Sequence, residues 1–203
     1  MSTPEESLPV AGTVVLLRPA DPGFEVLLLR RPDRGSFAGA WVFPGGKVEA
    51  GDRRLGEREI DDARRAGIRE TQEEVGLIID HLVPLSQWQP PVEAPTRIRT
   101  WFFLAMAPPE EALPSPDEVA ALAWVRPDEA LERHGTGEWT LFPPTWITLH
   151  QLSAFTDAAS ALAGGGAVQL FQTRVVDDGV ARSFTWAQGR LDAGALPWRY
   201  LPA

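Results

Sequence analysis

Residues 69–76 read Arg-Glu-Thr-Gln-Glu-Glu-Val-Gly. On a helix, Glu70, Glu73 and Glu74 stand three and four residues apart, so all three carboxylates share one face. Like charges at that spacing destabilise a helix by roughly 0.2–0.5 kcal/mol per pair. A helix with no use for them is expected to disperse them, whereas a divalent cation converts the repulsion into ligation. Gly76 is suited to end the helix in a left-handed conformation. The acidic cluster then lies over the last two turns, where the macrodipole is negative and further favours a cation. Arg69, next to the cluster, is expected to pair with a glutamate or a loop carbonyl and fix its rotamer.

Composition narrows the cation. The chain has no cysteine, which excludes thiolate metal sites, cysteine nucleophiles and disulfides. His81, His134 and His150 are too far apart for a helical zinc pair. The ligands must be mainly oxygens, which favours Mg²⁺ or Mn²⁺. A formal net charge of −9 argues against broad nucleic-acid or anionic-membrane partners. It leaves room for a small phosphorylated substrate met by metal and a few arginines.

The 203 residues suit one α/β domain with a modest addition. Residues 1–9 read as a flexible tail and 10–203 as one domain, with a core over about 10–135 and an extension over about 140–203. No apolar run is long enough to span a membrane. The start MSTPEESLPV lacks a secretory pattern, so a cytoplasmic location is expected.

Apolar β-branched runs predict strands at 11–18 and 24–31, a hairpin joined by the turn cluster at 19–23. Trp41-Val42-Phe43 reads as a short strand stopped by Pro44-Gly45-Gly46, and 47–58 as irregular. A helix is expected over 59–75, capped by Asp61 or Asp62, with Ile60, Ala63, Ala66 or Gly67, and Ile68 on its buried side. Strands follow at 77–89, 97–107 and 118–125, then a short helix at 127–133. A long helix is predicted over 143–163, from Pro143-Pro144 to the glycines at 164–166. Two more strand-like runs, 167–176 and 180–187, would extend the sheet or cover an edge. The expected class is α/β or α+β, a mixed sheet with helices packed on it.

Gly46 to Asp52 and Arg69 to Leu77 together resemble the Nudix box, Gly-x5-Glu-x7-Arg-Glu-U-x-Glu-Glu-x-Gly-U with U aliphatic. The resemblance covers about residues 10–130. Asp52 stands where the pattern has glutamate, and Thr71 where it has an aliphatic residue. Sixteen residues, 53–68, replace the seven of the pattern, an insertion expected to lengthen the loop before the helix. The resemblance implies the Nudix fold and water attack on a phosphorus of a nucleoside diphosphate linked to another group. It implies Glu70 and Glu74 as metal ligands, with Glu73 beside them as ligand or support, joined by the Gly45 carbonyl. It also implies a further acid from a later loop. Asp117 and Glu118 are the candidates, with Glu118 preferred as ligand or general base. A homodimer is a family-level expectation.

For substrate, Arg30, Arg31 and Arg34 border the loop before Phe43 and are candidates to bind phosphate bidentately, and Gly46 lies within the box. Arg99 alternates with Arg97 on a strand with Trp101 nearby and Trp88 in the preceding one, a pairing suited to stacking an adenine. Most of the eight tryptophans are nonetheless read as core. Gly39-x3-Phe43-Pro44-Gly45-Gly46 is similar to Nudix enzymes that split coenzyme A, although their further arginine is replaced here by Gly35. The interrupted box resembles the peroxisomal CoA diphosphatase branch. That leans the substrate to CoA or acyl-CoA, with ADP-ribose or a dinucleotide as alternatives. A non-catalytic nucleotide sensor of the same fold is the competing reading.

Overall fold

The computed structural model describes residues 8–35, 37–177 and 182–203. The expected tail falls mainly on residues 1–7, outside the described residues. Pro9 already belongs to the sheet, its carbonyl accepting from Arg99 N at 2.8 Å.

The first apolar runs pair as a hairpin, β1 (Val10–Pro19) with β2 (Phe24–Arg30), Leu17 opposite Val26. β3 (Trp41–Val42) adds to β2. Beyond Pro44 the sequence suggests only loop, but Gly45–Lys47 returns to the sheet as β4 with Gly46 opposite Gly12. Its lack of side chains permits this approach: a Cβ on Gly45 would lie 2.3 Å from the Gly12 carbonyl oxygen. After a 3-10 turn at Ala50–Asp52 comes α1 (Glu59–Val75).

The main sheet is completed by β5 (Val83–Gln89), β6 (Arg99–Met106) and β7 (Ala121–Val125). Two strands are shorter than their apolar runs. Residues 77–82 are not strand, yet Leu77, Ile79 and Leu82 are buried, and Glu118 falls in a turn before β7. Next come α2 (Pro127–Gly135), α3 (Pro143–Leu152) and α4 (Ala158–Ala163). The expected single helix over 143–163 is therefore two. Its apolar composition hides the break, which Asp157 makes by accepting from Ser160 N at 2.8 Å as the cap of a new helix.

The run at 167–176 also divides, into β8 (Gln169–Gln172) and β9 (Arg174–Asp177). Between them the amide and hydroxyl of Thr173 both donate to the Gln89 carbonyl, at 3.1 and 2.8 Å, pinning the chain where it changes sheets. β8 lies parallel to β5. β9 joins β10 (Arg182–Trp186), β11 (Gly189–Asp192) and β12 (Arg199–Pro202) in a second, antiparallel sheet. Residues 180 and 181 of the expected 180–187 strand lie outside the described residues.

The main sheet has order β3-β2-β1-β6-β5-β8, with β4 also on β1 and β7 also on β2, and β6 parallel to β1. It is mixed and carries helices, the expected class. Side-chain alternation divides its core. Val14, Leu16, Leu27, Leu29, Phe103 and Ala105 face one side with Ala63 and Val75 of α1. Val15, Leu17, Val26, Leu28, Phe102 and Leu104 face the other, with α3, α4 and part of the second sheet. Five of the eight tryptophans, Trp41, Trp88, Trp139, Trp146 and Trp186, are buried on that second side. Trp88 stacks on Phe171 with centroids 3.9 Å apart, which removes it as a platform for a nucleobase.

Neither Asp61 nor Asp62 caps α1. The cap residue is Arg58, with no side-chain bond to the helix. Both aspartates are drawn to arginines instead: Asp61 to Arg58 and Arg64, Asp62 to Arg65 and the Arg54 amide. Of residues 53–68 only 53–58 precede the helix, so much of the insertion lengthens α1 and not just the loop. Helix and strand touch backbone to backbone: a Cβ on Gly12 would fall 1.8 Å from the Ala63 carbonyl oxygen.

Candidate active site

The C-terminal half of α1 brings the carboxylates against β4 and the end of β2. Glu74 is the most enclosed, its side chain 2 % exposed. One oxygen accepts from Gly45 N at 2.9 Å and the other from Arg31 Nη1 at 2.9 Å. Burial nevertheless raises its pKa to about 7. The Gly45 amide and the Arg31 charge oppose that rise, and the charges of Glu70 and Glu118 add to it. Gly76 ends the helix in the left-handed region, φ 71°, as its sequence position suggests.

Arg69 gathers the rest. Its guanidinium reaches Asp52 through Nε at 3.2 Å and Nη2 at 3.0 Å, and the Lys47 carbonyl through Nη2 at 3.0 Å. Nη1 meets Glu73 at 2.8 Å and Glu70 at 3.0 Å. Arg69 therefore holds a glutamate and a loop carbonyl together. Asp52 had a place in the sequence pattern but no assigned task. It is buried in the 3-10 turn and anchors Arg69, and its second contact is the Glu49 amide at 2.9 Å. Burial works against its charge, but the Arg69 hydrogen bonds, the Glu49 amide and the charges of Arg69 and Arg65 hold its carboxyl below the ordinary range.

Glu70 lies under the glycine loop. A Cβ on Gly46 would stand 2.2 Å from the Glu70 carboxyl carbon, so only glycine lets the loop rest there. Burial raises the Glu70 pKa. Arg69 lowers it, and Glu73 and Glu118 raise it further.

Among the described residues no three acidic or histidine side chains converge as a ready-made metal site. Glu73 is turned to Arg69, and Glu74 to Arg31 and Gly45. The donor chemistry nevertheless fits a hard cation. All donors are oxygens, and burial raises the pKa of Glu70 and Glu74, with neighbouring carboxylates adding to the rise and the arginines opposing it. Ligation by all three glutamates would exchange arginine contacts for metal contacts.

The remaining candidates divide by place. Glu118 sits exposed in the turn at 116–118, close enough for its charge to act on Glu70 and Glu74. That loop is docked on the helix end by Leu113 N to Val75 O, 2.9 Å, and Ser115 N to Glu74 O, 2.8 Å. Arg34 reaches across to the Asp117 carbonyl at 3.1 Å, and Arg30 pairs with Asp33 at 2.8 Å. Arg31, expected to bind phosphate, is committed to Glu74. Arg99 is not brought to the cluster. It pairs with Glu59 at 2.9 Å, beside the Trp101 indole donating to the same carboxylate at 2.8 Å. Eleven helical residues, about 16 Å, separate Glu59 from Glu70 along α1.

The NUDIX domain model matches residues 8–144. A Caenorhabditis elegans protein provisionally named nudix hydrolase 7 is 26% identical over 171 residues, covering 65% of this chain. The chain spans 57% of that relative's length. A crystal structure of a NUDIX hydrolase from Alicyclobacillus acidocaldarius superposes with a TM-score of 0.70 at 22% identity, over 78% of this chain and 97% of that one. The NUDIX domain of Shewanella oneidensis NrtR, solved with ADP ribose, gives 0.57 at 15% identity, over 75% and 92%. At these identities the structures speak for the fold. The matched span contains both halves of the interrupted box, the glycine loop and the carboxylate helix, and on it the chain belongs to the NUDIX family.

Proposed function

We propose that this chain is a metal-dependent Nudix pyrophosphohydrolase that cleaves a nucleoside diphosphate linked to another group. The observation that carries the reading is the packing of Glu70 and Glu74 against the Gly45–Gly46 backbone, with Glu73 held beside them by Arg69 and more carboxylates in the group than the guanidinium groups of Arg31 and Arg69. Glu70, Glu73 and Glu74, with the Gly45 carbonyl, would hold Mg²⁺ or Mn²⁺. Bound there, the cation would neutralise phosphate oxygens and lower the pKa of the attacking water. Asp52 fixes Arg69, and Arg69 orients Glu70 and Glu73. Arg31 and the Gly45 amide orient Glu74. Glu118, whose charge acts on Glu70 and Glu74, would accept the proton of the water. Gly46, Arg30 and Arg34 lie on the loop side where a diphosphate would enter, and positioning and charge stabilisation supply most of the rate.

For the leaving group, the Gly39-x3-Phe43-Pro44-Gly45-Gly46 run supports CoA or acyl-CoA. The fold likeness to a NUDIX domain holding ADP ribose favours ADP-ribose as the second reading. The test is a panel of CoA, ADP-ribose, dinucleotides and nucleoside triphosphates with Mg²⁺ or Mn²⁺, products identified by mass. Adenosine bisphosphate and phosphopantetheine are the expected products. Turnover of other diphosphates alone would move the substrate, and tight nucleotide binding with no turnover at all would make the chain a sensor.

A further inference from the structure

A cavity of about 370 Å³ opens at the far edge of the main sheet, where the loop after β5 meets the bend between β8 and β9. Its polar lining is Gln89, Glu93, Arg97, Gln172, Thr173 and Arg174. β6 and β5 stand between this edge and β1, which carries the glycine loop, so the cavity is apart from the carboxylate cluster.

The two arginines set it off from the rest of the surface. The chain has 28 acidic residues against 19 basic ones, and most arginines are ion-paired. Among the described residues neither the Arg97 nor the Arg174 side chain has an ion-pair, hydrogen-bond or ring partner. The Nε of Arg97 is shielded from solvent and still makes no hydrogen bond. Two other arginines share that feature, but Arg64 reaches Asp61 and the Phe103 ring, and Arg126 reaches Asp128. A buried donor without an acceptor is costly, and a charged one more so. Thr173 does not fill the need: its hydroxyl donates to the Gln89 carbonyl and accepts nothing from the Arg97 Nε. Glu93 is the single acid in the lining and is exposed, leaving two guanidinium groups against one carboxylate.

We propose that this cavity is a second binding site, which takes a phosphate group between Arg97 and Arg174. Guanidinium forks match phosphate oxygens bidentately, and two of them meet a doubly charged anion. The Gln89 and Gln172 amides add polar partners for whatever the phosphate carries. The volume falls in the range of small-molecule sites.

Isothermal titration of the full chain with inorganic phosphate and with adenosine 5′-monophosphate tests this, in EDTA and at matched ionic strength. EDTA removes the metal on which phosphate affinity at the carboxylate cluster depends. Both probes are expected to bind, and Arg97→Gln and Arg174→Gln are each expected to weaken them by about tenfold or more. Glu74→Gln should leave the affinity unchanged. Tighter binding of the nucleotide than of phosphate would place its nucleoside in the cavity, and equal binding would mean the phosphate alone is read. Arg174 is exposed, so its variant keeps the fold if Arg97→Gln does not. Absence of binding by both probes, or affinity unchanged in Arg174→Gln, would overturn the proposal.

Discussion

The two ends of α1 look alike in sequence and differ in what surrounds them. At the N-terminal end Glu59, Asp61 and Asp62 each meet arginine partners: Arg99, Arg58 with Arg64, and Arg65. At the C-terminal end Glu70, Glu73 and Glu74 share Arg69 and Arg31, with Glu118 adding a fourth negative charge nearby. The first end is a balanced ionic surface. The second stores uncompensated charge in a partly desolvated place, which is what a cation site needs before its cation arrives. Charge balance more than burial separates the two ends, since Asp62 at the first is buried and Glu73 at the second is exposed.

Four substitutions or titrations test that contrast, in descending size of effect. Glu74→Gln should lower turnover with Mg²⁺ or Mn²⁺ by roughly two orders of magnitude or more, measured under steady-state conditions. Survival of full activity would remove Glu74 from the metal site.

The same variant should change stability in the opposite sense. The Glu74 pKa rises from 4.5 to about 7 in the folded protein. Between those values the folded chain holds this proton and the unfolded chain does not. The stability it contributes is complete below pH 4.5 and is lost as pH climbs through about 7, on the order of 3 kcal/mol. Urea unfolding of the metal-free protein should show that fall, and Glu74→Gln should flatten it. A stability that rises over this window would contradict the buried carboxyl. Asp52, held low, acts with the opposite sign and loses its contribution only as pH drops below 3.8.

Asp52→Asn strips Arg69 of its anchor. A loss of about 2–3 kcal/mol in stability is expected, with turnover down by roughly 10–100-fold as Arg69 and Glu70 loosen. Turnover matching the parent enzyme would show that Arg69 needs no anchor. Glu59→Gln is the control at the other end: about 1 kcal/mol or less in thermal unfolding, and unchanged turnover. An activity loss there would erase the distinction between the two ends.

Much of this was legible beforehand, and the gaps have physical reasons. Glu70, Glu73, Glu74 and Gly76 are related by helical period alone, so local spacing located them. Periodicity equally placed β1, β2 and β6. The partners of Arg31 and Arg99 were not legible, because an arginine's partner is set by tertiary contact: Glu74 lies 43 residues from Arg31, and Glu59 lies 40 from Arg99. Asp52 was visible only as a pattern position, and nothing local announces that it will meet Arg69 seventeen residues on. The breaks at Asp157 and Thr173 depend on one or two hydrogen bonds inside apolar runs, below the resolution of a hydropathy pattern.

The contact of Gly12 with Ala63 acts as a fulcrum. Because strand and helix meet there with no side chain between them, the helix has one fixed height above the sheet. The carboxylates proposed to hold the cation all lie beyond that point, and residues 53–62, most of the inserted stretch, lie before it. Extra length on the near side moves nothing on the far side. A segment of different length between the two halves of the box would leave that height, and the carboxylates beyond it, where they are.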